Sequence, residues 1–198
     1  MEIVDSLKKI PRESKWMFLR EVFFGNLVFR VLLHGVNAIV KGVPYVASEI
    51  FDIDTSLSTK DFITLKSLGV NVIRLGVMWP GVEPTRGVYN TTYLDQTQRI
   101  IENAAKYGIY TLLDMHQDVL SEKFCGEGVP GWAANVAAIP SENAFPVPLE
   151  NPFTAVASDG YPTRQDCAHF NWPQYYNTRA ASYAFEALYT NVDGLRDA

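Results

Sequence analysis

The stretch Ile109–Asp118, IYTLLDMHQD, decides the fold. Its first eight residues form a short apolar run, entered from Gly108 and left through polar residues. A run of this length bounded by a glycine reads as a strand rather than a helix. The pattern recurs upstream. Val70–Val77, VNVIRLGV, is a β-branched strand following Gly69, and HGVNAIV ends an earlier one near Val40. Two helical patterns separate these strands. One starts at Ser58, with Asp61 three residues on as in a capping box, and carries Phe62, Leu65 and Leu68 on one side. The other is capped within Asn90–Thr92 and runs to Tyr107, with Leu94, Thr97, Ile101, Ala104 and Ala105 at helical spacing. Alternating strands and helices, with the strands apolar nearly throughout, predict a parallel sheet covered on both faces. Farther upstream, Val22–Leu33 is two apolar runs around Gly25-Asn26, a hairpin signal.

After His116 the periodicity stops. About sixty residues, Gln117 to Asn177, are rich in Pro, Gly, Asn and aromatics. A loop of that length is functional or disordered. Trp132, Phe145, Phe153, Phe170 and Tyr175 argue for order. Helical spacing returns in TRAASYAFEALYTN, where Ala181, Phe185 and Leu188 share a face.

In a (β/α)8 barrel, ligands sit at the C-terminal ends of the strands. Three segments place polar residues there. Arg74 stands inside a β-branched strand, where a guanidinium needs an acidic partner. That pair either holds the core together or keeps a reacting carboxylate ionised. In DMHQD, alternation puts Asp114 and His116 on one face, so Arg74, Asp114 and His116 are expected to form one polar cluster. Asp118, already in the loop, can accept hydrogen bonds from ligand hydroxyls. Lys41, closing the first strand, is either a hydroxyl donor or a solvated surface lysine.

Composition narrows the class. The 198 residues are 47% hydrophobic and 20% charged, with a formal net charge of -5, enough for one packed core. No basic stripe points to nucleic acid. The three histidines, His34, His116 and His169, lack HxH or HExxH spacing, and no P-loop, GxGxxG or GxSxG occurs. No metal or cofactor is expected on these grounds. Cys125 and Cys167 are either unrelated thiols or one loop-stapling disulfide, which belongs to an oxidising compartment. Asn90-Thr91-Thr92 is an N-glycosylation sequon. The N-terminal MEIVDSLKKIPRESK has no apolar core of a signal peptide, and no apolar run is long enough for a transmembrane segment.

LHGVNAIVK, NVIRLGVMW, VEPTRGVYNTTYLD, LLDMHQD and CGEGVPGWA, in this order, resemble glycoside hydrolase family 5, most closely its endoglycoceramidase branch. The resemblance runs from about Arg30 to Ala198. It implies an α/β fold, a partial (β/α)8 TIM barrel of about the first three β/α units with a long loop after the third strand. Residues 23–198 are then the N-terminal part of the barrel domain, and residues 1–22 stay unassigned. It implies a retaining mechanism with two glutamates and no cofactor. The substrate would be a glycolipid or oligosaccharide, cleaved at the glycan–ceramide bond. The alternatives are a β-glucosidase acting on glucosylceramide, steryl glucoside or β-glucan, and a non-catalytic sugar-binding product. By the resemblance, Arg74 orients and ionises the nucleophile, and His116 binds the sugar beside the cleaved bond. Lys41 and Asp118 contact sugar hydroxyls, and Trp132 helps wall the cleft. The family's acid/base glutamate follows an asparagine, and no Asn-Glu dipeptide occurs here. A fragment without either catalytic carboxylate is therefore expected. A secreted or lysosomal location is implied by the family alone.

Overall fold

The computed structural model describes residues 22–24, 27–29, 32–134, 141–151 and 161–191. Two short strands, β1 (Val22–Phe24) and β2 (Leu27–Phe29), pair antiparallel, with Phe24 opposite Leu27. Gly25-Asn26, which signalled this hairpin, lies outside the described residues, as do Phe153 and the unassigned N-terminal stretch to residue 21. The chain forms two compact units, Met1–Val77 with Thr91–Asp114 and Met78–Asn90 with Met115–Ala198.

In the first unit, β3 (Gly35–Ala38), β4 (Val72–Val77) and β5 (Tyr110–Met115) form one parallel sheet in that order. The register sets Val36 opposite Ile73 and Asn37 opposite Arg74. Helix α1 (Thr59–Ser67) joins β3 to β4, and α3 (Thr91–Lys106) joins the next pair. Right-handed crossovers put both helices on one side of the sheet. Ile73 and Leu75 of β4 are buried with Phe62 of α1 and with Tyr93, Thr97, Ile100, Ile101 and Ala104 of α3. Thr97, Ile101 and Ala104 of the expected helical stripe are buried; Tyr93 and Ile100 join it, while Leu94 is only half-buried and Ala105 is exposed. The expected cover on both sheet faces is not found among the described residues. Leu112, two residues before Asp114, is 52% exposed.

Both helices end at glycines with positive φ, Gly69 at 77° and Gly108 at 69°, a conformation in which a Cβ is strained. The start of α1 is set by Asp61. Its Oδ2 accepts from the Ser58 N–H and the Ser58 hydroxyl at 2.8 Å each, and from the Ser56 hydroxyl at 2.6 Å. Partial burial pushes the Asp61 carboxyl up, but the bonds from Ser56 and Ser58, with Lys60 nearby, outweigh it and hold the carboxyl below its ordinary value. The folded state therefore favours the ionised form. The resulting stability is complete above the ordinary value of 3.8 and is lost as pH falls through the lower folded value. Asp61→Asn is expected to cost about 1 kcal/mol in urea unfolding at neutral pH. The difference from the parent should shrink in acid.

In the second unit, α2 (Trp79–Val82) opens the segment 78–90. The long region after β5 folds through 3₁₀ turns at Glu122–Phe124, Ser141–Asn143 and Trp172–Asn177, a short α4 (Arg164–Cys167), and α5 (Arg179–Thr190). Its core gathers Val119, Leu120, Phe124, Val129 and Tyr175 with Ala180, Ala181 and Ala184 of α5. Phe185 and Leu188 pack against this core at its margin. The described part of the aperiodic stretch therefore has its own apolar interior.

Candidate functional site

Each unit carries one constellation of the predicted residues. In the first, Arg74 meets its acid. Its Nη2 lies 2.7 Å from Asp114 Oδ2, so neighbouring strands supply the two partners. The side chains are 40% and 23% exposed. An ion pair that open to water adds at most about 1 kcal/mol, so its chief effect is to fix the two charges in place. Lys41 is exposed in the segment immediately after β3. A cleft of about 300 Å³ in this unit is lined by Val36–Val40, Asp54–Leu57 and Asp61 on α1, and none of the predicted ligand-binding residues lines it.

The second unit holds His116, which is 7% exposed. Its Nε2 lies 3.3 Å from Asp118 Oδ2 and 4.0 Å from Glu127 Oε1. Arg74 and Asp114 pair in the first unit, and His116, Asp118 and Glu127 come together in the second. Glu127 was missed by sequence reasoning, because it comes from nine residues beyond Asp118. Backbone pairing delivers it. The Asp118 N–H donates to Glu127 O at 3.0 Å, and the Glu127 N–H donates to Asp118 O at 2.7 Å. The glycines on either side of Glu127 permit this approach. A Cβ on Gly126 would strike the carbonyl of Asp118, and one on Gly128, whose φ is 116°, would strike the carbonyl of His116. The signal in the sequence is the Gly-Glu-Gly triplet itself. Val119 and Leu120 turn the chain just after Asp118 at positive φ, 51° and 67°. For a β-branched residue that is an uncommon conformation of the kind found at functional sites. The Gln117 carboxamide steadies the turn by accepting from the Leu120 N–H at 3.0 Å.

Cys125 and Cys167 are joined as a disulfide, with Cα atoms 5.3 Å apart. The bond ties the segment carrying Glu127 to α4, where the Tyr175 hydroxyl also donates to Cys167 O at 3.0 Å. Burial raises the Tyr175 phenol above its ordinary value.

Trp132 stands in an aromatic arrangement built on Glu83. The Trp132 indole N–H donates to the Glu83 carbonyl at 3.2 Å. The Glu83 carboxylate accepts from the Trp79 indole N–H and the Gly87 N–H, each at 2.7 Å. The two indoles meet edge to face at 5.5 Å, and the Arg86 guanidinium lies 6.0 Å from the Trp132 ring. Glu83 is 4% exposed and was also missed by sequence reasoning. Its signal is the VEP triplet, an acid in an apolar setting.

Residues 36–158, more than half of the chain, match the cellulase domain of glycosyl hydrolase family 5. The chain belongs to that family. Its relatives in family 5 include an endoglycoceramidase of Cyanea nozakii, 53% identical over 166 residues, and one of Hydra vulgaris, 51% identical over 165. Each alignment covers 83% of this chain and 32% or 31% of the relative. The chain thus spans about a third of the length of these relatives. Among solved structures, endo-glycoceramidase II from Rhodococcus sp., in complex with a five-membered iminocyclitol, superposes with a TM-score of 0.56 at 26% identity. That superposition covers 82% of this chain and 31% of the Rhodococcus protein. The three parallel strands with their helices are accordingly part of a (β/α)8 barrel, and the family is one of glycosyl hydrolases.

Proposed function

We propose that this chain forms the sugar-binding part of a retaining glycosidase that hydrolyses the bond between glycan and ceramide in glycosphingolipids. The observation that carries this reading is the 53% identity to an endoglycoceramidase over 83% of the chain, which includes both constellations. In this reading His116 and Asp118 take the sugar next to the scissile bond, and Lys41 contacts a further hydroxyl. Trp132, held by Glu83, offers the apolar face of an indole to a pyranose ring. Arg74, ordered by Asp114, keeps a neighbouring nucleophilic carboxylate ionised.

Retaining hydrolysis needs two carboxyls about 5 Å apart, one as acid/base and one as nucleophile. In the family the acid/base glutamate follows an asparagine. No Asn-Glu dipeptide occurs among the 198 residues. We therefore assign no catalytic glutamate to this chain. The purified chain should bind the oligosaccharide of a ganglioside in saturation-transfer NMR and release none from the intact glycolipid. Oligosaccharide release would refute the assignment of the glutamates. Lack of saturation transfer would refute the binding role. Preference for glucosylceramide, steryl glucoside or β-glucan fragments would favour the glucosidase reading.

A secretory route fits the disulfide and the sequon. Asn90, Thr91 and Thr92 are all exposed at the start of α3. Passage of the chain through a eukaryotic secretory pathway should add one glycan at Asn90. The check is a mobility shift removed by a peptide N-glycosidase and absent in Asn90→Gln. Among the described residues no helix is long and apolar enough to cross a membrane.

A further inference from the structure

We propose that His116, Asp118 and Glu127 form a binding site for a divalent transition-metal cation of the Zn²⁺ type. The inference rests on their geometry and does not depend on the sugar-binding reading. One nitrogen and two carboxylate oxygens from these residues lie within 4.8 Å of one another. The His116–Asp118 separation is 3.3 Å. Ligands at Zn²⁺ bond lengths define tetrahedron edges of about 3.4 Å, so this pair already stands at the spacing of two ligands on one ion. Glu127 Oε1, 4.0 Å from the imidazole nitrogen, closes the third corner after a shift of well under 1 Å on that edge.

The donor set selects the ion. An imidazole with two carboxylates suits Zn²⁺ or Mn²⁺, whereas Ca²⁺ and Mg²⁺ favour all-oxygen cages. Three protein ligands leave a fourth position for water or a hydroxyl. Charge points the same way. Asp118 and Glu127 set two carboxylates beside the imidazole, in side chains only 22% and 13% exposed.

The site is also preformed. Asp118 follows His116 by two residues at the end of β5, and two backbone bonds hold Glu127 across from Asp118. Gly126 and Gly128 admit that close pairing, and the Cys125–Cys167 disulfide anchors it two residues away. Spacing motifs such as HxH and HExxH miss this arrangement, because a third ligand brought in by hairpin pairing has no fixed local spacing. This proposal departs from the sequence reading, which expected no metal. Where the sugar-binding reading also holds, cation and sugar compete for His116 and Asp118.

The test is calorimetric titration of the tag-free, chelator-treated chain with Zn²⁺. One equivalent should bind with micromolar affinity and raise the melting temperature. Glu127→Gln keeps the side-chain size and both backbone bonds, and it should weaken binding at least tenfold with no loss of apo melting temperature. His116→Gln should do the same. His169→Gln should bind like the parent, since the His169 Nδ1 sits 2.8 Å from Asp166 O, outside the cluster. Should His116→Gln fail to fold, Glu127→Gln decides alone. Absence of saturable one-to-one binding by the parent overturns the proposal. So does undiminished affinity in Glu127→Gln.

Discussion

Replacing Cys125 and Cys167 with serine is expected to lower the stability of the unit that contains them by roughly 4 kcal/mol. The figure follows from chain entropy. The two cysteines are 42 residues apart, so the bond removes many open conformations of the unfolded chain. Among the described residues between them, the regular elements are a short 3₁₀ turn and a four-residue helix, beside a core drawn from scattered positions. Such a layer has few local hydrogen-bond ladders to hold it, so the covalent tie carries an unusual share of its stability. The double serine variant should unfold at markedly lower urea concentration. The layer should also lose protection in hydrogen exchange, while α1 and α3 keep theirs. An unchanged midpoint would mean that packing around Tyr175 and α5 is sufficient by itself.

The second large effect is expected at Glu83. Its carboxylate is the acceptor for the Trp79 indole and the Gly87 amide, and it is almost fully buried. Glu83→Ala strands two donors away from water, at about 1–3 kcal/mol each. The variant should therefore lose on the order of 3 kcal/mol or more. Glu83→Gln is informative because its shape is preserved. The amide has one acceptor oxygen, and its NH₂ faces a donor, so it satisfies only one of the two N–H groups. It should be less harmful than alanine and still clearly destabilising. Tryptophan fluorescence supplies a local readout, since Trp79 and Trp132 touch edge to face above Glu83. Both variants should shift the emission in proportion to their loss of stability. A shift without destabilisation would mean that Glu83 only positions the indoles.

The barrel elements were legible because their information is local. Glycines at positive φ end α1 and α3, Ser58 with Asp61 starts α1, and short apolar runs mark β4 and β5. The Arg74–Asp114 pair was legible for an energetic reason, since a guanidinium in a strand demands an acid nearby. What could not be read depends on contacts between distant residues. The stripe on α3 holds the expected Thr97, Ile101 and Ala104, but its edges, Tyr93 and Ile100, depend on where the sheet lies, which periodicity alone leaves a residue or two uncertain. Glu127 reaches His116 through a hairpin whose pairing rests on two glycines, and Glu83 serves donors on both sides of it in sequence. The region after His116 shows no periodicity because its core is assembled from single residues at irregular spacing.

The central claim is that this chain supplies the sugar-binding strand ends of an endoglycoceramidase. A chimera tests it most directly, with residues 33–198 replacing the matching third of the Hydra vulgaris relative, to which the chain is 51% identical. The measurement is release of intact oligosaccharide from a ganglioside. The account predicts release by the chimera, and its loss by at least a hundredfold on His116→Ala with folding retained. A folded chimera that releases no oligosaccharide, or one whose His116→Ala variant is as active as its parent, would contradict it.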